Sequence, residues 1–407
     1  MAISDLVLLQ DTLLKQGQGS VVPEMIHILR KHLGMDIAFL GQFSNCAREI
    51  RLVDTDELIC AIRPGHATPL EESYCKLIVD GKLPSVMNDV TDYPLATALK
   101  VTAELDIRSY IAAPIYLADG TVYGTLCCYS HTPHAAFSDR DLSMMRACAE
   151  MTARQIDQER LRAKNNRDLQ ARITSIMDEN KLSTVYQPIC DLRNRRITGF
   201  EALSRFNDDL APTPDVIFCQ AHDVGMGPEL ERKAIQLALK ALDHLDADVY
   251  VAVNASPDTI LSSDFSAIFH NYPLARVVLE ITEHAAVSKY HEIKEALTPL
   301  RNNGMQLAVD DAGGGFSSFR HILELAPDRV KLDGSLTKNI DSDPVRRALV
   351  AAFVRFTQDT SMKLIAEGVQ TAMELQALRD LGVEKAQGFY LGKPVPLSQV
   401  LQTAYPE

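Results

Sequence analysis

Beyond Asn180 the chain alternates short apolar runs with longer amphipathic ones, a pattern that few architectures can absorb. The apolar runs lie at residues 184–190, 197–204, 249–253, 276–281, 306–309, 329–332, 363–366 and 388–390. Each is too short for a buried helix and suits a buried strand. Between them, residues 229–245, 292–302, 345–360 and 371–381 carry helical spacing. Strand–helix alternation over about 220 residues predicts an α/β fold in which eight strands close into a (β/α)8-type barrel. In such barrels the reactive groups stand at the C-terminal ends of the strands.

Those ends are polar here. Glu201 follows Gly199-Phe200, Asn254 follows Val251-Ala252-Val253, and Glu280 follows Val277-Val278-Leu279. Asp310 and Asp311 follow Leu307-Ala308-Val309, Lys331 follows Arg329-Val330, and Glu367 follows Leu364-Ile365-Ala366. Neighbouring strand residues point to opposite faces, so Asp310 and Asp311 share a site only if the strand is ending there. Two carboxylates so close repel unless a proton or cation sits between them, and hard divalent cations with oxygen ligands are the natural neutralisers. Taken alone, Asp-Asp-Ala-Gly is also an ordinary turn after a strand. The recurrence of one such group per strand argues for a shared site, since buried carboxylates without partners are costly.

The first part of the chain reads differently. Helical patterns at residues 5–14 and 22–33 precede strand-like pieces at 36–43, 49–54 and 58–62. A helix at 71–79 and a short strand at 84–87 follow. Strands at 110–116 and 122–129 form a hairpin around Asp119-Gly120. Mixed helices and antiparallel strands imply an α+β sandwich. Ala113-Pro114-Ile115, Asp119-Gly120, Gly124-Thr125-Leu126 and Phe137-Ser138-Asp139-Arg140-Asp141-Leu142 resemble a GAF domain over residues 21–155. Domains of that family sense a small ligand or chromophore, or dimerise. No ligand is assigned by the sequence. Cys75 and His66 read as a buried structural thiol and a surface histidine, because neither has a recognisable partner motif.

From Asp139 to Asn180 there is neither proline nor glycine. Leu142, Met145, Ala149, Ile156 and Ala163 recur at three-and-four spacing, and the register slips before Leu169, Ile173 and Ile176. A narrow apolar seam of this kind predicts a coiled coil with a stutter; a helix packed on its own domain is the alternative. The reading divides the chain into a sensor domain (1–140), a helical linker (141–180) and a barrel (181–407).

Over residues 182–401 the second half resembles an EAL phosphodiesterase domain. The resemblance rests on Tyr186-Gln187-Pro188-Ile189, Glu201-Ala202-Leu203 with Arg205, Asn254-Ala255-Ser256-Pro257 and Glu280-Ile281-Thr282-Glu283. It continues through Asp310-Asp311, Lys331-Leu332-Asp333, Glu367-Gly368-Val369 and Gln387-Gly388-Phe389. The family hydrolyses cyclic di-GMP to linear pGpG with two Mg²⁺ or Mn²⁺ ions, in a barrel with one antiparallel strand. The resemblance implies that Glu201, Asn254, Glu280 and Asp310 hold one ion. Asp310 and Asp311, with Glu367 close by, would hold the other. Such an ion pair activates a water and stabilises the attacking and leaving oxygens. Lys331 and Glu367 would assist the water's attack, and Gln387 would orient the metal-site network. Gln187, Leu203, Arg205 and Asp333 would bind substrate, and Glu283 would anchor the loop after Asp311. The implied protein is a homodimer through the linker and the EAL domain, with a non-catalytic cyclic di-GMP receptor as the alternative.

Three positions depart from the family pattern: Ala312-Gly313-Gly314-Gly315 after Asp311, Gln370, and Gly334 after Asp333. None removes an implied ligand. The net charge of −13 argues against nucleic-acid binding through phosphate contacts. Absence of a long apolar run and of a signal-peptide pattern, and eight cysteines without a Cys-x-x-Cys pair, predict a cytoplasmic protein with reduced thiols and no membrane partner.

Overall fold

The computed structural model describes residues 21–44, 46–58, 60–178, 181–207, 213–281, 289–313 and 317–403. The helix expected at residues 5–14 lies outside them. The chain forms two compact units, Met1–Asn165 and Asn166–Glu407.

The first unit is an antiparallel sheet covered on both faces. Its strands are β1 (Ile37–Phe43), β2 (Ala47–Thr55), β3 (Ala67–Pro69), β4 (Val86–Met87), β5 (Ser109–Tyr116) and β6 (Val122–Ser130), in the order β3-β2-β1-β6-β5-β4. Period-two alternation sorts the side chains. On β6, Leu126 and Cys128 join Met25, Ile26 and Leu29 of the helix Val22–Leu33, together with Met145 and Ala149. Cys127 and Tyr129 point to the opposite face, onto Cys75 and Ile78 of the helix Tyr74–Val79. The sandwich expected from the sequence therefore forms. The strand expected at residues 58–62 does not: its described residues are irregular, and Ile62 turns into the core. Pro64-Gly65 breaks the run, Gly65 bonds to the Ile50 carbonyl, and β3 takes the place beside β2.

A single helix, Asp139–Ile176, runs 38 residues. Its start packs within the first unit through Met145, Cys148, Ala149 and Ala153. Its end packs within the second through Ile173 and Ile176, against Leu182, Ile217 and Leu230. Part of the expected coiled-coil seam is thus used for packing inside each unit.

The second unit is an eight-stranded barrel. Strands β7 (Leu182–Asp191), β8 (Arg196–Phe206), β9 (Tyr250–Asn254), β10 (Val277–Ile281), β11 (Gln306–Ala312), β12 (Arg329–Leu332), β13 (Lys363–Ala366) and β14 (Lys385–Ala386) follow one another in space. β8 to β14 are parallel, β7 is antiparallel to both β8 and β14, and the β14–β7 pairing closes the ring. A short β15 (Val395–Pro396) adds to β7. The last barrel strand is Lys385–Ala386 and not residues 388–390, which form a turn. Gly388 cannot carry a side chain there, since a Cβ would lie 2.2 Å from the Val369 nitrogen.

The closed end of the barrel holds a stack of cations on one ring. Arg329 lies 4.1 Å and Lys385 5.1 Å from the Tyr250 centroid, and Gly199 leaves room for that ring, where a Cβ would approach it to 2.5 Å. Burial, reinforced by the charges of Arg329 and Lys363, pulls Lys385 down to about 7, while its Nζ donates to Thr198 Oγ1 at 2.8 Å. The unfolded chain then binds more protons than the folded one between about 7 and 10.5. Stability at this position rises with pH across that window and, as pH falls, is lost across the same window, the loss being complete near 7. Lys385→Met should therefore be stabilising relative to the parent near pH 7, with the advantage shrinking by up to roughly 1.4 kcal/mol per pH unit on the alkaline side. Urea midpoints for both proteins at about pH 6.5 and about pH 9 check this; a constant difference would show that the buried ammonium is not depressed.

Candidate active site

Barrel register brings the polar strand ends together at one mouth. Asn254 on β9 is in register with Glu280 on β10, and in parallel strands such partners face the same way. Ala308 on β11 pairs with Glu280, so Asp310 lies two residues further along the same face. Gln187 and Glu201 pair across β7 and β8, and Glu367 and Gln387 each follow directly on their strands.

Asp310 and Asp311 share the mouth by a device other than the strand end that the sequence suggested. β11 continues to Ala312, and its register with β12 shifts between Val309 and Ala312. Asp311 sits at φ 52°, in the left-handed region that costs a non-glycine residue about 1 kcal/mol or more. Its amide donates to Asp310 Oδ1 at 3.0 Å. The bulge turns both carboxylates to one side.

Lys331 is wholly buried at the centre. Its Nζ lies 2.8 Å from Glu280 Oε2, 2.8 Å from Glu367 Oε1, 3.1 Å from Asp310 Oδ1 and 3.4 Å from Glu201 Oε2. Burial works to discharge this ammonium, but the four carboxylates overcome it and hold its value well above that of a free lysine. Burial also pushes Glu280 well above the carboxylate range and Glu367 up to about 8, with Lys331 opposing in both cases.

The carboxylates form two overlapping groups, Glu201–Glu280–Asp310 and Asp310–Asp311–Glu367, each able to offer oxygens within 4.8 Å of one another to a metal ion. Asp310 belongs to both. With all five ionised and Lys331 protonated, four negative charges stand uncompensated, the charge of two divalent cations. The remaining polar atoms fit the same purpose. Asn254 Nδ2 donates to Glu201 Oε1 at 3.4 Å, which leaves Asn254 Oδ1 buried and unpartnered, as Glu280 Oε1 also is. An all-oxygen donor set with buried lone pairs open suits hard divalent ions. Gln387 Nε2 donates to Glu201 Oε2 and, at 3.2 Å, to Gln187 Oε1, orienting Glu201 from behind.

Two cavities flank this centre and share Leu203 and Asp310. One, of about 660 Å³, is lined by Arg205, Asn254 and Asp311 together with Asp215, Phe218 and Glu231. The other, of about 300 Å³, is lined by Gln187, Glu201, Glu367, Gln370, Gln387 and Phe389. Asp333 stands apart from both linings; its carboxylate caps the turn Gly334–Thr337 by accepting from the Ser335 amide at 2.9 Å. Gly334 lies against Gly368, but a Cβ there would meet it at an ordinary 3.6 Å, so the structure gives no steric reason for the departure. Glu283, Gly314 and Gly315 lie outside the described residues. Sequence reasoning missed the helix Pro214–Asp223, which brings Asp215 and Phe218 to the larger cavity; Thr213-Pro214-Asp215 was a helix-start signal.

A family model for the EAL domain matches residues 166–394, more than half of the chain. The chain belongs to the EAL domain family. A GAF domain model matches residues 20–156, ahead of the EAL domain. The chain is 27% identical over 247 residues to the cyclic di-GMP phosphodiesterase PdeF of Escherichia coli, covering 58% of this chain and 33% of that protein. The chain spans about a third of the length of the curated relatives it matches, 38% and 33% for two of them. The solved structure of the phosphodiesterase PaMucR in complex with c-di-GMP is 26% identical, with a TM-score of 0.52 over 57% of this chain and 99% of that one. The cAMP-bound EAL enzyme Bd1971 shares the fold more broadly, with a TM-score of 0.54 over 90% of this chain and 92% of that one at 19% identity. Among the described residues, no helix is long and apolar enough to cross a membrane.

Proposed function

We propose that the EAL domain hydrolyses cyclic di-GMP to linear pGpG with two divalent cations, Mg²⁺ or Mn²⁺, and that the GAF domain regulates it. The observation that carries this reading is five carboxylates in two groups sharing Asp310, four of them gathered around one buried lysine. Glu201, Asn254, Glu280 and Asp310 would hold one ion, and Asp310, Asp311 and Glu367 the other. Bound there, the ions supply a nucleophilic water at neutral pH and charge stabilisation for the phosphoryl oxygens. Lys331 tethers four of the carboxylates and adds positive charge where a phosphate arrives. Glu367, within the second group, would help accept the water's proton. Arg205, exposed at the larger cavity, suits a phosphate oxygen, and Phe389, exposed at the smaller one, offers a ring face to a base. The names of PdeF and of the PaMucR complex support the choice of nucleotide.

The same reading places the protein in a bacterial cytoplasm as a homodimer, through the middle of the helix Asp139–Ile176, where Leu161 is exposed, and through the EAL domain. The deciding experiment is turnover of cyclic di-GMP by the full chain with Mg²⁺ or Mn²⁺. Formation of pGpG is expected, and Glu367→Gln should lower the rate by about 10²–10⁴-fold while leaving nucleotide binding in Ca²⁺ intact. Tight binding with no turnover in the parent protein would make it a receptor instead.

A further inference from the structure

Inside the first unit, on the sheet face opposite the helix Val22–Leu33, lies a buried cation without a carboxylate. Arg48 on β2 is 5% exposed, and among the described residues no Asp or Glu reaches ion-pair distance of it. A guanidinium does not lose its proton in a protein, so its charge must be met by another group. What meets it is sulfur. Arg48 Nη1 donates to Cys75 Sγ at 3.5 Å, its guanidinium lies 5.5 Å from the Phe39 ring centroid, and its Nε has no partner. Cys75 Sγ is 3.7 Å from Cys127 Sγ and 3.7 Å from Tyr110 Oη, and Cys127 Sγ is 3.2 Å from Thr125 Oγ1. Cys75 and Cys127 are fully buried.

We infer that Cys75 and Cys127 are a redox-active pair, with Cys75 the thiolate counter-ion of Arg48 and the first sulfur oxidised by a small hydroperoxide, and Cys127 the thiol that closes the disulfide. The titratable groups that face Cys75 are Arg48, Cys127 and Tyr110. Burial alone would keep both thiols protonated. The Cys127 thiol and the Arg48 charge reverse this at Cys75 and hold it well below an ordinary thiol, while burial and the neighbouring Cys75 push Cys127 well above. One sulfur of the pair is thereby charged and the other keeps its proton. A cavity of about 10 Å³ beside Arg48 and Tyr110, also lined by Tyr74 and Tyr129, has room for no more than one water and does not reach either sulfur, so a hydroperoxide gains Cys75 only when this wall opens.

The chemistry closes with those partners alone. The Cys75 thiolate attacks one peroxide oxygen; the S–O bond forms, the O–O bond breaks, and hydroxide leaves with the electron pair. Cys75 is oxidised by two electrons and the peroxide is reduced. The Cys127 sulfur then attacks Cys75 Sγ; the S–S bond forms, the S–O bond breaks, and the departing hydroxyl takes the Cys127 proton as water. The sulfurs need to close from 3.7 Å to about 2.05 Å. Oxidation also removes the thiolate opposite Arg48, and among the described residues no carboxylate replaces it, so the disulfide state holds an uncompensated buried cation. That gives the oxidised domain a reason to rearrange.

The test uses the full chain with its exposed cysteines, Cys46 and Cys219, alkylated beforehand. Hydrogen peroxide should remove two hydrogen masses, digestion should yield a linked Cys75–Cys127 peptide, and a dithiol should reverse both. In Cys127→Ser, dimedone should trap a sulfenic acid on Cys75; in Cys75→Ser, Cys127 should stay unmodified. The parent rate should change less than twofold from about pH 6 to about pH 8, because the thiolate is already formed, and Arg48→Gln should be at least tenfold slower at neutral pH. Absence of the linked peptide would overturn the inference. A rate rising about tenfold per pH unit, as for an ordinary thiol, would do the same without relying on any variant. A small anion retained on Arg48 in native mass spectrometry, shielding Cys75 from peroxide, would make the cluster an anion site and not a redox pair. None of these readouts depends on nucleotide hydrolysis.

Discussion

Lys331→Met should destabilise the metal-free protein by about 3–5 kcal/mol, the cost of breaking a buried ion network by removing one partner. Methionine fills much of the same volume, so packing is a minor part of the loss. The larger part is electrostatic. Glu201, Glu280, Asp310 and Glu367 all reach Nζ within 3.4 Å, and without it no positive charge is left to separate them. Divalent cations would take over part of the ammonium's role, so Mn²⁺ should recover a larger share of stability in the variant than it adds to the parent. Hydrolysis should stay at least about 10³-fold down even with metal, because positive charge near the phosphate is lost from a dry site. Urea unfolding with chelator and with Mn²⁺ measures the first effect and pGpG formation the second. A variant as stable as the parent in chelator would mean that Lys331 is not what holds the carboxylates together.

The network also marks where sequence reasoning succeeds and where it stops. The barrel is legible because strand–helix alternation depends only on local patterning, and two strands, Arg329–Leu332 and Lys363–Ala366, have the bounds read from the sequence. The polar strand ends are legible for a related reason: a charged residue closing an apolar run has few places to go except the barrel mouth. That four of them converge on a single lysine is a matter of register and closure, which no local pattern encodes. The bulge at Asp311 is hidden because it needs a non-glycine residue in the left-handed region, a choice that tertiary contacts impose. The last barrel strand was placed three residues late for the opposite reason. Glu384-Lys385 looks like a solvated turn, but Lys385 pairs with Ile365 and Asp191 in the closing strand, and its ammonium is accommodated over Tyr250, more than a hundred residues away. In the GAF domain, Cys75 is buried as expected, but the cation beside it comes from a strand 27 residues earlier. Burial was readable from composition; the partner was not.

Asp310 is the residue whose change separates one shared site from two independent ones. It belongs to both carboxylate groups, whereas Glu280 belongs only to the first and Asp311 only to the second. Asp310→Asn keeps the shape and one oxygen ligand but removes the charge both ions would use. Calorimetric titration of the parent with Mn²⁺ should give two ions per chain, Asp311→Asn one, and Asp310→Asn none at concentrations that saturate the parent. Stability should follow. At a free ion concentration about 100 times the dissociation constant, each site adds about 2.7 kcal/mol to the parent, so Asp310→Asn, which loses both, should fall short by about 5.4 kcal/mol. The metal-free protein responds the other way. Asp310 crowds three carboxylates around Lys331, so neutralising it lowers repulsion, and the variant should unfold at equal or higher urea than the parent in chelator. Opposite signs with and without metal are what a ligand shared by two ions requires. Two ions still bound to Asp310→Asn would place the metals on other oxygens and remove Asp310 from the centre of the site.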